Sequence, residues 1–319
     1  MLNDSTRGGG VLDVGRPGGP GGVRRFSREA MASVFEVYAR HADEGYAAQA
    51  AHSAFDVVEG LERQLSRFVS NSDIARVNRL APGESTLVSA FTMECLVVAR
   101  HVFDLTGGAF DVSLGTGLPA LELDREAFVV HATKGGVNLD LGGIGKGYAV
   151  DLMAESLEEW DVTAALVHGG FSSVVALEPP TGSDGWQLAL SCPAAPSGAL
   201  ARLSVRQVAI GASGVGKGSH IVDPRSGEAA HGRLAAWALV PRPTSGSRMA
   251  ASVEQPRLAP GAIADALATA FMVLTTAEIE TLCERNPGLE GWLLEVPAPG
   301  SNAAPELLHF GRDSQRPGA

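Results

Sequence analysis

From Met31 to Ala39 the chain reads Met-Ala-Ser-Val-Phe-Glu-Val-Tyr-Ala, a period of two that predicts a strand. Beyond it, Ala50, Ala54, Val57, Val58, Leu61, Leu65 and Phe68 recur at intervals of three and four. That spacing predicts a helix over about 44–68 with these side chains on one face. Ser70-Asn71-Ser72-Asp73 is turn chemistry that also offers an N-cap, so a short helix is expected to end near Asn78. A further helix is expected over Ser89–Leu105, closed by Gly107-Gly108. The middle of the chain predicts strands at 137–141, 164–168, 173–177, 186–190, 200–210 and 235–240, with a helix at 146–160 among them. After a polar loop, Pro241 to Pro260, helices are expected at 263–275 and 277–285 and a strand at 292–296. Strands and helices do not alternate strictly and no repeat is present, which favours an α+β domain of mixed sheets flanked by helices.

Composition narrows the function. The 319 residues carry 25 Lys+Arg against 36 Asp+Glu, a net charge of −11, with 45% hydrophobic and 19% charged residues. An acidic chain whose longest basic run is Arg24-Arg25 argues against nucleic acid, because phosphate-backbone binding needs a clustered basic surface. Cys95, Cys192 and Cys283 are far apart and form no CxxC, so neither a disulfide framework nor a zinc site is expected. No apolar run reaches the roughly 20 residues of a membrane span. Residues 1–26, glycine-rich and without an apolar core or lipidation cysteine, read as a disordered tail, residues 27–311 as one domain and 312–319 as a second tail. A cytoplasmic location is the corresponding expectation, or a periplasmic one if the true start lies elsewhere.

Four constellations carry possible chemistry. Asn138-Leu-Asp140-Leu-Gly142-Gly143-Ile-Gly145-Lys146-Gly147-Tyr148 passes from a predicted strand through glycines into a helix with a lysine in its first turn. Free amides and the helix dipole there would suit an anion, although the glycines could equally serve a tight turn. Gly211-Ala-Ser-Gly-Val-Gly216-Lys217 imitates a P-loop, but Gly218 stands where Ser or Thr must hold Mg²⁺. Pro224 then disfavours a following helix, so a P-loop is rejected. His220 leaves this glycine-rich segment and could act as a general base, or be a histidine tied to a turn carbonyl. In Ile263-Ala-Asp265-Ala-Leu-Ala-Thr269 a carboxylate and a hydroxyl share one face of an apolar helix. Such oxygens suit Mg²⁺. The alternative places Asp265 in the first turn beside the dipole, with Thr269 bonded back to a carbonyl.

Together these segments resemble the ApbE family, the FAD:protein FMN transferases. The resemblance runs in order over about residues 31–275. It comprises Met31-Ala-Ser, Leu65-Ser-Arg-Phe68 with Asp73 and Asn78, Thr106-Gly-Gly-Ala109-Phe110-Asp111-Val-Ser113, and Asp140-Leu-Gly-Gly143 with Lys146-Gly-Tyr148 and Asp151. Ser219-His220-Ile-x-Asp223-Pro-x-x-Gly227 and Ala264-Asp265-Ala-x-Ala-Thr269-Ala complete it.

The resemblance implies Mg²⁺, FAD as donor, and transfer of its FMN half to a Thr or Ser hydroxyl of an acceptor protein, with AMP leaving. The acceptor would carry a D-x-x-[ST]-G-A-[ST]-like motif. It further implies that Asp265, Thr269 and a carbonyl near Gly143 ligate the metal. Met31, Phe68, Ala109, Phe110, Asp111, Asp140, Lys146 and Ile221 would contact FAD. His220, with Asp265, would be catalytic, His220 taking the proton of the acceptor hydroxyl. Three departures stand out: His168-Gly169-Gly170-Phe171 where the family usually has Asn before Gly-Gly, Ser213-Gly214-Val215-Gly216-Lys217 in place of an aromatic-containing stretch, and Met31-Ala-Ser in place of Met-Gly-Thr. An FAD pyrophosphatase, with water replacing the acceptor, and an FAD-binding protein without transfer chemistry are the alternatives.

Overall fold

A computed structural model describes residues 12–14, 22–192, 198–215, 221–243, 259–296 and 304–311. Its centre is a wholly antiparallel eight-stranded sheet. In chain order its strands are β2 (Arg24–Ala30), β3 (Ser33–Ala39), β7 (Ala165–Gly169), β8 (Ser173–Ala176), β11 (Val208–Gly214), β12 (Arg233–Pro241), β13 (Glu290–Glu295) and β14 (Glu306–Phe310). Across the sheet they run β14-β13-β12-β11-β8-β7-β3-β2. Two three-stranded sheets accompany it: β1 (Leu12–Val14) with β9 (Trp186–Ser191) and β10 (Ala199–Val205), and β4 (Ser85–Leu87) with β5 (Leu121–Asp124) and β6 (Val129–Ala132). The helices are α1 (Glu44–Leu65), α2 (Asp73–Val77), α3 (Ala90–Leu105), α4 (Gly145–Glu159), α5 (Pro260–Phe271) and α6 (Thr276–Arg285). The α+β expectation holds.

Both faces of the large sheet are covered, which is why its inner strands read as near-continuous apolar runs rather than clean alternation. Residues pointing one way, such as Val37, Val167, Val175, Ala209, Ala236 and Ala238, pack on the helical layer of α1, α4 and α5. Their neighbours pointing the other way, such as Leu166, Val174, Ile210 and Trp237, meet Trp186, Leu188 and Leu190 of β9. Alternate side chains of a strand necessarily point to opposite layers.

The departures from the predicted elements have local causes. Residues 137–141 join no sheet: the Leu139 amide donates to Asn78 Oδ1 and the Asp140 amide to the Val112 carbonyl. Helix α1 stops at Leu65 with Ser66 as its C-cap, so Phe68 leaves the apolar stripe and is 84% exposed. The run expected as one strand at 200–210 is β10 and β11, in different sheets, broken at Arg206-Gln207 where Gln207 has φ 49°. Within the expected N-terminal tail, Leu12–Val14 pairs with β9, and Arg24 to Phe26 already belong to β2. Leu12 is buried among Leu166, Trp186 and Leu190, and that burial holds a segment whose composition alone would leave it unordered. Short β4, β5, β6 and β14 carry too few residues for a period to be legible. Among the described residues no helix is long and apolar enough to cross a membrane.

His168, next to last in β7, lies on the face that carries Leu166, opposite Glu36 in register and edge-on to Phe171 at 5.0 Å. It is buried, and among the described residues neither ring nitrogen has a hydrogen-bond partner. Burial therefore pulls its pKa down to about 4. The unfolded chain takes up this proton near pH 6.5 and the folded chain only near 4, so stability is present above that window and declines as pH falls through it. The full effect is roughly 3 kcal/mol. We predict that His168→Leu flattens the pH dependence of urea-unfolding stability between 6.5 and 4. An unaltered slope would show that burial does not hold this imidazole neutral.

Candidate functional site

Helices α4 and α5 cross at two glycines. A Cβ on Gly147 would overlap the Gly261 carbonyl oxygen and lie 2.7 Å from Asp265 Cβ; one on Gly261 would lie 2.6 Å from the Gly147 carbonyl oxygen. Only residues without side chains allow this approach. Asp151, one turn beyond Gly147, secures it. Its Oδ1 accepts the Gly261 amide at 2.8 Å and its Oδ2 the Ala262 amide at 2.9 Å. Pro260 has no N–H, and Ile263 donates to the Ala259 carbonyl, so the first turn of α5 is fully accounted for. The helix begins at Pro260 rather than at 263, and Asp265 accordingly sits in its second turn, with Asp151 rather than Asp265 serving the N-terminal amides.

Asp265 is buried, and its Oδ2 accepts the Gly147 amide at 3.0 Å. Burial raises its carboxyl above the ordinary carboxylate value, while the Lys146 charge and the Gly147 amide pull it back down. One turn on, Thr269 Oγ1 donates to the Asp265 carbonyl at 3.3 Å and stands 3.4 Å from Ser213 Oγ of β11. The backbone bond expected in the plainer reading of Thr269 is thus present, though long. Gly143 packs beside this group: a Cβ there would be 3.5 Å from Thr269 Oγ1 and 3.2 Å from Phe110 Cε2. Among the described residues no cluster of three His, Cys, Asp or Glu side chains could hold a metal. The set implied by resemblance has one carboxylate, one hydroxyl and one carbonyl. All are oxygens, and the carboxylate's ionised form is disfavoured by burial and would gain from a dication. Such a donor set fits Mg²⁺, which takes few protein oxygens.

Around this centre stand four loops. The β2–β3 turn holds Met31 and Ala32 at φ 49° and 53°, a left-handed pair that costs non-glycine residues about 1–2 kcal/mol each. Met31 packs on the main core, and Ser33 beside it fills the space where a Gly170 side chain would be. Lys146 lies against Gly170 and donates from Nζ to the Gly142 carbonyl at 3.3 Å. Asp140 Oδ1 accepts the Gly142 amide at 2.9 Å, and Arg67 Nη2 is 3.4 Å from its Oδ2. In the 106–117 loop Ala109, Phe110 and Asp111 are buried. The Asp111 carboxylate is occupied by that loop, accepting the Ser113 amide and hydroxyl at 2.7 Å each and the Gly115 amide at 3.0 Å. Its visible work is to shape the turn that brings Phe110 to Gly143. Gly115 in turn presses on the Pro224 carbonyl, joining this loop to the 221–227 turn. Ile221 is half-buried against the core, and its carbonyl accepts the Ala230 amide at 2.8 Å. His220 and Lys217 lie outside the described residues. Gly211, the first glycine of the P-loop-like string, is in mid-strand against Ala264 and Asp265, far from the geometry a phosphate loop needs.

Sequence reasoning gave no role to Asp151, Ser213 or Arg67. Asp151 had one usable signal, a carboxylate placed one turn after Gly147 and so on the same helix face. Nothing local in the sequence points Ser213 at Thr269, which is 56 positions away.

A family model described as the ApbE family matches residues 31–126 and 114–293. Among solved structures, the apo flavinyl transferase ApbE of Pseudomonas stutzeri superposes with a TM-score of 0.74 at 21% identity, covering 91% of this chain and 95% of that one. The flavin transferase ApbE of Vibrio cholerae gives 0.73 at 18% identity, with 91% and 98% covered. An ApbE protein of Thermotoga maritima gives 0.71 at 19% identity, with 86% and 94% covered. At these identities the likeness is one of fold. The chain has no significant match among curated proteins.

The crossing makes a direct prediction. Gly147→Ala must force α4 and α5 apart and is expected to cost about 1–3 kcal/mol in denaturant unfolding. Asp151→Ala leaves two buried amides unpaired and should cost roughly 2–4 kcal/mol, with Asp151→Asn intermediate. Equal stability of all three variants to the parent would show that the helices are positioned by other contacts.

Proposed function

Because the chain belongs to the ApbE family, we propose that it is an FAD:protein FMN transferase that moves the FMN half of FAD to a Thr or Ser hydroxyl of an acceptor protein. The observation that carries this reading is Asp265, a buried carboxylate held by the Gly147 amide beside Lys146 and followed one turn later by the Thr269 hydroxyl. A desolvated carboxylate there weakens the fold unless a cation uses it.

Asp265, Thr269 and the Gly143 carbonyl are the groups that would hold Mg²⁺. When bound, the ion neutralises charge on the pyrophosphate. Lys146, at the first turn of α4, adds a fixed positive charge and orients the same group. In this reading Met31, Phe68, Asp140 and the Ala109–Asp111 turn, whose Phe110 ring faces Gly143, are the groups that would contact FAD. In the reaction the acceptor oxygen attacks the FMN phosphorus, an O–P bond forms, the bridging P–O bond breaks, and AMP departs with the bridging oxygen. His220 takes the hydroxyl proton. Positioning and electrostatic stabilisation supply most of the catalysis in such a transfer. The acceptor is expected to present a D-x-x-[ST]-G-A-[ST]-like segment.

The test incubates purified protein with FAD, Mg²⁺ and a peptide of that type, following AMP and peptide mass together with EDTA as control. AMP plus a peptide heavier by one FMN is the expected outcome. AMP with an unmodified peptide indicates hydrolysis instead, and tightly held FAD without AMP indicates a binding protein. His220→Ala should retain FAD within a few-fold and lose transfer.

Asp265→Asn offers a second check, independent of turnover. It should raise the melting midpoint of metal-free protein by a few degrees at neutral pH. That gain should shrink as acidification protonates Asp265 in the parent and vanish near the unfolded value of about 3.9. Mg²⁺ should stabilise the parent and leave the variant unchanged. Equal Mg²⁺ stabilisation of both would remove the metal assignment.

A further inference from the structure

Arg67 stands between Phe68 and Asp140, two of the residues proposed above to contact FAD. It is the second residue after α1, and its guanidinium carbon lies 4.8 Å from the Phe68 ring centroid. Its Nη2 reaches Asp140 Oδ2 at 3.4 Å, with each side chain 35% exposed. Among the described residues Asp140 is its one polar partner, so most of its five N–H donors face solvent. On the same turn Lys146 Nζ bonds the Gly142 carbonyl. Two cations therefore converge on the four residues from Asp140 to Gly143, in a chain of net charge −11.

The Arg67–Asp140 contact is a weak one. A single long approach between partly exposed groups contributes little, because solvent screens it and the side chains keep much of their freedom. A dianionic pyrophosphate offers the guanidinium a better partner: two parallel N–H···O bonds of a kind a lone lysine cannot form. The Phe68 ring, 4.8 Å from the guanidinium carbon, gives the cation a second neighbour that a change of anionic partner need not disturb.

We propose that Arg67 is a further nucleotide-binding residue, one that exchanges Asp140 for a phosphate oxygen of FAD and so frees the Asp140 carboxylate for a donor of the nucleotide. This rests on the FAD reading above.

The experiment titrates the full chain with FAD, ADP and riboflavin, scoring flavin fluorescence for FAD and riboflavin and calorimetry for ADP. For Arg67→Ala we expect affinity for FAD and ADP to fall about ten-fold, with riboflavin, which lacks phosphate, unchanged. Arg67→Lys should recover part of the loss, and the melting midpoint of both variants should match the parent because the contact is long and partly exposed. Unchanged FAD and ADP affinity in Arg67→Ala would overturn the proposal. So would tighter binding, which would make Arg67 a mere mask over Asp140. An equal loss for riboflavin would overturn it too, since the effect would then be on cavity shape. The underlying reading is checked separately by the parent: failure of the parent to bind FAD sinks both, whereas normal parent binding with an unaffected variant sinks Arg67 alone.

Discussion

The close crossing of α4 and α5 at Gly147 and Gly261 sets the position of the buried carboxylate at the centre of the candidate site. With side chains absent at both positions the two backbones touch, and the Gly147 amide is delivered to Asp265 at 3.0 Å. Asp151 fixes the rotation and height of α5 by taking its first two free amides. These are charge-assisted bonds in a dry setting, the strongest kind of backbone hydrogen bond available to a helix end. Thr269 and Ser213 then come together because α5 lies on β11, whose Gly211 admits the Ala264–Asp265 backbone directly against the strand.

That arrangement requires a rigid support, and the double burial of the eight-stranded sheet provides it. Helices cover one face and the β1-β9-β10 sheet the other, so its central strands are held by apolar contact above and below. Small side chains do much of the work on the helical side: alternate alanines of α5 and of β12 let the layers approach closely. The cost of such packing is intolerance of added volume.

The rim follows different physics. Its turns are strained or satisfied by their own side chains rather than packed. Met31 and Ala32 are both left-handed, Asp111 spends its carboxylate on its own loop, and Asp140 is shared between an amide and an arginine. Deep in the site the carboxylate of Asp265 is desolvated and tuned upward; at the edge, charges stay wet and can change partners. A site for the charged, partly aromatic ligand proposed above would use both regimes.

How much of this the sequence determined by itself follows from the range of the forces involved. Helices α3, α4 and α6 and strands β7, β8 and β9 were legible because periodicity and caps act over a few residues. The order of motifs, with Asp265 and Thr269 one turn apart on one helix face, was legible for the same reason. The sequence could not say that residues 137–141 would give their amides to Asn78 and Val112 instead of a sheet, nor that Phe68 would leave the core once Ser66 ended α1. Nor could it show that Asp151 serves a helix 110 positions away, or that Leu12 is ordered by β9. Those outcomes depend on desolvation, steric fit and hydrogen-bond partners supplied by distant segments. Such terms exist only once the layers have packed, so the tertiary structure alone decided them.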